Sequence, residues 1–311
     1  MIASLSKSIF MFFVTLIGVT ALSFALSHLA PSDPAEIMLT NDGVAPTEEL
    51  LQKKREQLGL NRPVYEQYLS WIANLLKGDM GVSIKSNREV SNDISEALPY
   101  TVLLAVSSMA LNLIISVPVG IFCARHQNSV MDKFIQMISY VFISLPIFFI
   151  SLVTIYIFSL KLRLLPVIST GSIKGLIMPT VALSLNMTAV YIKQIRAVVL
   201  REMNKDYVTG LYSRGISRKS VFQKHIFRNS LTYIITLIGM SFGVLLGGTI
   251  IVESIFSWPG VGKLAVEAIG HRDYPLIQGY MIWMAVIYFA VNTGVEILYK
   301  LLNPKTRRYG G

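Results

Sequence analysis

Few side chains in this chain have types and spacing that could do chemistry. Gly260-Val261-Gly262-Lys263 resembles the end of a phosphate-binding loop. That motif needs glycine where Ser257 stands, and at position 264 it needs a hydroxyl to hold magnesium where this chain has Leu264. No ATP site is expected. His28, His126, His225 and His271 are too scattered for a two-histidine metal motif, so no resident metal or other cofactor is expected. The single Cys123 excludes a disulfide within the chain and reads as a small packing residue. Glu253 and Glu296 lie within apolar stretches, where an acid is costly unless it is paired or wet. Glu253 suits a path-lining or a loop-anchoring role equally, and Glu296 suits a partner inside a helix bundle. With no nucleophile–base pair either, an enzyme is not expected.

The most informative segment is Asp206–Asn229, DYVTGLYSRGISRKSVFQKHIFRN, a basic stretch between two long apolar ones. Asp206 can cap a short helix with Tyr207, Val208, Leu211 and Tyr212 on one face, and Gly215 then supplies a left-handed stop. Ser217 can restart a helix carrying Val221, Phe222 and Ile226. Such a hairpin fits docking onto a protein partner. It also fits an interfacial hairpin held on anionic lipid by Arg214, Arg218, Lys219 and Lys224, and composition does not separate the two.

The elements that must position this hairpin are membrane spans. The chain has 311 residues, 53% hydrophobic and 15% charged, with a mean hydropathy of +0.55, too apolar for a soluble globular protein. Six apolar stretches are long enough to span: Ile9–Leu29, Thr101–Ala124, Phe134–Leu160, Leu176–Val199, Leu231–Val252 and Ile277–Leu302. An even count puts both termini on one side. With the N-terminus inside, the inner segments sum to +12 and the outer ones to −2; the 193–228 loop alone carries +7 and outweighs a short +3 outer loop around Lys161, Arg163 and Lys174. The pI of about 9.6 thus follows from topology and gives no reason to invoke nucleic acid. The first span is too long for a signal peptide's apolar region of about 7–15 residues and is read as retained.

Between the first two spans, 31–99 reads as a small folded extracytoplasmic layer, net −4 over Asp33–Glu96. Thr47 can cap a helix running from Glu48 and Glu49 through Lys53, Lys54 and Arg55 to Gly59, an order that suits the helix dipole. A second helix should run from Pro63 to just before Gly78, packing Tyr65, Leu69, Ile72 and Leu76 on the outer ends of the spans. Pro118, Pro146 and Pro179 predict kinks in the spans. Gly239, Gly243, Gly247 and Gly248 predict close helix approach.

Asp206-Tyr207-Val208, Arg214-Gly215 and His225…Arg228-Asn229 closely resemble the cytoplasmic coupling loop of ABC-importer permeases of the dipeptide/oligopeptide/nickel family. The likeness runs along almost the whole chain: Pro31-Ser32-Asp33-Pro34, Leu58-Gly59-Leu60, Arg62-Pro63, Gln67-Tyr68, Gly78-Asp79-Met80-Gly81-Val82-Ser83 and Leu98-Pro99-Tyr100-Thr101. It continues through Glu253-Ser254-Ile255-Phe256-Ser257-Trp258-Pro259-Gly260-Val261-Gly262, Arg272-Asp273-Tyr274-Pro275 and Asn303-Pro304. One departure is Thr209-Gly210-Leu211-Tyr212-Ser213, where Gly210 should weaken the helix by roughly 0.5–1 kcal/mol relative to alanine.

The resemblance implies an all-α polytopic membrane protein of the type I ABC importer permease fold in the bacterial inner membrane. Its six transmembrane helices would have cytoplasmic N- and C-termini. The implied division is a first helix over 1–30, the outer segment 31–99, a five-helix transmembrane domain over 100–302 with coupling loop 201–230, and a tail over 303–311. Implied partners are a second permease, two cytoplasmic ATPases that hydrolyse the ATP, an extracytoplasmic binding protein and membrane lipid. ATPase coupling would fall to Asp206, Tyr207, Val208, Leu211, Gly215, Ser217, His225, Arg228 and Asn229. Glu253, Phe256, Trp258, Pro259 and Gly260 would shape the translocation path or its outer mouth. The cargo would be nickel, free or chelated, or a di- or oligopeptide, with a lean to nickel from 248–278 and Ala124-Arg125-His126. An ion-coupled secondary transporter is the rival reading, and it lacks the intramembrane acids and inverted repeats such carriers use.

Overall fold

A computed structural model describes the backbone of residues 2–29, 33–41 and 43–302; side chains are described from 10 to 297 except 30–32, 42, 240, 242, 244, 246 and 248. Pro31-Ser32, Asn303-Pro304 and the 303–311 tail lie outside the described residues, as do the side chains of Gly248 and Lys300.

Thirteen α-helices are described in chain order: α1 Ile2–Leu29, α2 Pro34–Asn41, α3 Glu48–Gln57, α4 Val64–Leu76, α5 Val90–Arg125, α6 Val130–Ser144, α7 Ile147–Ile155, α8 Ile173–Met203, α9 Asp206–Ser213, α10 Arg218–Val221, α11 Phe227–Phe256, α12 Val261–Gly270 and α13 Tyr274–Leu302. Two π-helical turns, Tyr156–Lys161 and Phe222–Ile226, extend α7 and α10. The one β-bridge among the described residues joins Val82 to Glu89.

Four of these helices are long and apolar enough to cross a membrane, Phe10–Leu29, Val90–Arg125, Ile173–Met203 and Tyr274–Ile297. The pair Val130–Ser144 and Ile147–Lys161 would make a fifth span, bent by 100°. The bend falls at Leu145-Pro146, both extended, because Pro146 lacks the N–H that would continue α6. The stretch expected as one span, Phe134–Leu160, is therefore interrupted by a sharp bend. Leu231–Val252 falls inside α11, where five side chains are not described.

Contacts divide the chain into two compact units, Met1–Pro99 with Gly260–Ala290, and Tyr100–Pro259 with Val291–Gly311. In the first, Val90, Ile94 and Ala97 of α5 pack with Val261, Ala268 and Leu276. Asp273 ties this core together: its carboxylate accepts from the Ser83 hydroxyl at 2.6 Å and the Lys85 amide at 3.1 Å, and caps α13 through the Leu276 amide at 3.2 Å. The cap expected from Thr47 is only half realised, since its backbone is extended at the start of α3 but its side chain makes no capping bond. Gly59 and Gly78 do stop their helices with φ of +68° and +87°.

The second unit is a bundle around α8. One cluster gathers Leu104, Met109, Met178, Leu183, Leu245 and Phe256, another Tyr191, Ile195, Val199, Val208, Val221 and Ile226. A Cβ on Gly120 would sit 2.9 Å from the Ile195 side chain, and one on Gly239 would sit 2.1 Å from Val295, so both permit close helix approach. No described atom of this chain lies within 4 Å of where a Cβ on Gly247 would sit.

Candidate functional site

The basic hairpin is built from α9, α10 and the turn between them. Asp206 does not cap α9; extended Lys205 holds the capping position without a side-chain bond, and Asp206 is the first helical residue. Its charge still sits at the favourable end of the helix dipole. The helix ends as a Schellman motif: the Gly215 amide bonds to the Tyr212 carbonyl at 2.9 Å and the Ile216 amide to the Leu211 carbonyl at 3.3 Å. Gly215 takes φ +79°, with open space where a Cβ would point. Its requirement is therefore conformational rather than steric. Ser217 opens α10, its hydroxyl accepting from the Ser220 amide at 3.4 Å.

Packing holds this hairpin against α8. Val208, Val221 and Ile226 are buried with Ile195 and Val199, and Leu211 and Phe222 pack at their edge. Arg125 lies 5.0 Å over the Phe222 ring. At the α6 end, buried Asp132 takes a two-pronged ion pair from Arg196, at 2.8 and 2.7 Å, plus the Asn128 amide at 3.0 Å.

One residue missed in the sequence completes the site. Glu202, at the end of α8, is 2% exposed, and its Oε1 accepts from the Tyr207 hydroxyl at 2.7 Å and the Asn229 amide nitrogen at 3.0 Å. Asn229 also donates to the Tyr207 oxygen at 3.1 Å, and Lys205 pairs with Oε2 at 2.6 Å. Tyr207 and Asn229, both selected in the sequence, thus meet over one carboxylate that joins the end of α8, the start of α9 and the start of α11. Burial and the Glu202 carboxylate push the Tyr207 hydroxyl pKa up to about 12. In the sequence Glu202 stands out only as one of two acids among nine basic residues over 193–228.

The opposite side of the hairpin is open. Tyr212, Ser213, Arg214, Arg218 and Lys219 are exposed, as is Arg228, while His225 is half-buried. The ridge presents one aromatic ring and several cations, with no nucleophile paired to a base. It suits recognition.

At the residues expected to shape the path or its outer mouth, most side chains are packed within the chain. Glu253, Phe256 and Trp258 are all fully buried, so none presents its side chain to an open path on this chain. Thr101 donates to Glu253 at 2.8 Å, the Trp258 indole N–H donates to the Tyr100 carbonyl at 2.9 Å, and the Tyr100 and Trp258 rings meet edge to face at 5.7 Å. Ser257 ends α11 with φ +53°, and the Ser169 amide bonds to the Phe256 carbonyl at 2.8 Å. Pro259 is half-buried and Gly260, buried, starts α12. Lys263, from the phosphate-loop look-alike, lies 3.6 Å from Glu267. Among the described residues no three His, Cys, Asp or Glu side chains group closely enough for a metal.

The model for the inner-membrane component of binding-protein-dependent transport systems matches residues 116–308, and its N-terminal companion matches 1–105. Glutathione transport system permease proteins from Escherichia coli K12 and Shigella dysenteriae are each 34% identical over 293 residues, covering 94% of this chain and 95% of theirs. In fold, the chain is similar to the inward-facing methionine transporter MetNI, with a TM-score of 0.58 at 12% identity over 68% of this chain and 96% of that one. An amino acid ABC transporter gives a TM-score of 0.50 at 18% identity over 69% and 94%. With apolar helices of spanning length and a family match over both halves, the chain belongs to the ABC-importer inner-membrane permeases of the dipeptide/oligopeptide/nickel type, and is a multi-pass transport subunit rather than an enzyme.

Proposed function

We propose that this permease imports a small peptide of the glutathione class, pairs with a second permease, and is driven by two cytoplasmic ATPases that dock on loop 201–230. Cargo arrives from an extracytoplasmic binding protein. In this reading α1, α5, the bent α6–α7 pair, α8, α11 and α13 are the six spans, with both termini in the cytoplasm. The observation that carries the coupling role is the braced hairpin: Glu202, Tyr207 and Asn229 tie it to α8 and α11. A push on Tyr212 or Arg214 is therefore passed to two spans rather than absorbed by a loose loop. The peptide cargo is supported by relatives of nearly equal length that are named for glutathione transport. The lean to nickel rests on short sequence likenesses alone, and the secondary-transporter reading is not favoured by the family.

Uptake of labelled glutathione, a labelled dipeptide and radioactive nickel by cells expressing the chain with its co-purifying subunits tests this. Expected is peptide or glutathione accumulation that stops when ATP is depleted. Accumulation of nickel without either peptide would overturn the cargo, and uptake driven by an ion gradient without ATP would overturn the coupling.

A further inference from the structure

The face of α4 expected to pack on the spans is open. Tyr65, Leu69 and Leu76 are 65%, 62% and 83% exposed, and their helical spacing aligns them in one row with half-buried Ile72. A different row, Tyr68 and Trp71, makes the contact with α1. The Tyr68 hydroxyl lies 3.1 Å from that of Thr20, the Tyr68 and Trp71 rings lie 5.3 and 5.9 Å from that of Phe24, and Gln67 meets His28 at 3.2 Å. A third row, Glu66, Ser70, Asn74 and Lys77, is polar and exposed.

Depth follows from the α1 contacts. Thr20 lies about 14 Å from Leu29 along the helix axis, at about 1.5 Å per residue. The apolar span is Phe10–Leu29, so α4 packs beside its C-terminal half rather than beyond its end. Leu22 and Leu26 of the same stretch are themselves exposed. α1 and α4 thus both carry exposed apolar side chains in the part of the chain where they pack together. The Tyr68 hydroxyl reaches inward to Thr20, and the Trp71 ring lies against Phe24, about 7.5 Å from Leu29 along the helix axis.

We propose that α4 is an interfacial helix that lays Tyr65, Leu69 and Leu76 into the leaflet around the C-terminal half of α1, the outer leaflet in the topology proposed above. Its polar row, Glu66 to Lys77, then faces water. The extracytoplasmic segment is thereby fastened to the bilayer surface at a second point besides α1.

The assembled transporter in nanodiscs with brominated-acyl phosphatidylcholine supplies the test. Leu69→Cys and Leu76→Cys carry an environment-sensitive fluorophore, Ser70→Cys serves as the water-facing control, and Tyr65→Cys replaces either apolar variant that fails to assemble. Native Cys123 is fully buried and stays unlabelled. Quenching several-fold stronger at 69 and 76 than at 70, unchanged by adding the binding protein, is expected. Equal quenching at all three positions would overturn the proposal. So would quenching at 69 and 76 that is lost when the binding protein is added, since a protein would then occupy the face. The readout needs no transport, so loss of uptake, which would count against the importer reading, leaves this result separate.

Discussion

At the residue scale, Gly215 decides the shape of the hairpin through its backbone alone. A side chain there has room, but φ of +79° is a region that a β-branched residue enters at a cost on the order of 1–2 kcal/mol. Gly215→Val should insert in the membrane and retain its partner permease, but lose ATPase co-purification and uptake together. Normal ATPase recovery with full uptake would contradict the turn's role. Gly210 differs: it lies inside α9 with open space around it. Gly210→Ala should therefore stabilise α9 by about 0.5–1 kcal/mol, read as slower amide exchange across α9 with uptake preserved. Unchanged or faster exchange would contradict this. Gly215 and Ser217 were legible in the sequence because helix stops and restarts obey local rules. Asp206 was misplaced by one position, since the cap belongs to whichever residue leaves the helical backbone, here Lys205. Glu202 was not legible because its partner Asn229 is 27 residues away, and only the fold brings them together.

At the scale of elements, the corner where α11 ends shows why an interfacial tryptophan and a Pro-Gly pair are ambiguous signals. Both suit a turn at a membrane surface, yet Trp258 is fully buried and bonds to the Tyr100 carbonyl. Trp258→Ala should cost about 3–5 kcal/mol, seen as a lower melting temperature of the purified complex and less protein in the membrane. ATP hydrolysis per folded complex should stay unchanged. An unaltered melting temperature with altered cargo-stimulated hydrolysis would contradict this and support the outer-mouth role. The α4 surprise has a related cause. Helical periodicity marks two apolar rows on α4, and nothing local says which one meets α1. The break at Pro146 was foreseen as a kink, but its 100° angle comes from packing around α8 that no proline rule supplies.

At the scale of the whole molecule, the helical membrane class and the concentration of positive charge in one loop were legible because hydropathy and charge are sums over many residues. The coupling account joins those sums to one ridge. The hairpin is fixed on one side by Val208, Val221, Ile226 and the Glu202 carboxylate, and exposes Tyr212 and Arg214 on the other. Phospholipid and an ATPase surface are the two surfaces such a ridge could meet. The most direct test places a photo-activated cross-linking amino acid at Tyr212 in the assembled, membrane-embedded transporter. The account predicts a cross-linked product containing the ATPase subunit, absent when Gly215→Val is added. Cross-linking to lipid alone, or to the extracytoplasmic binding protein, would contradict it.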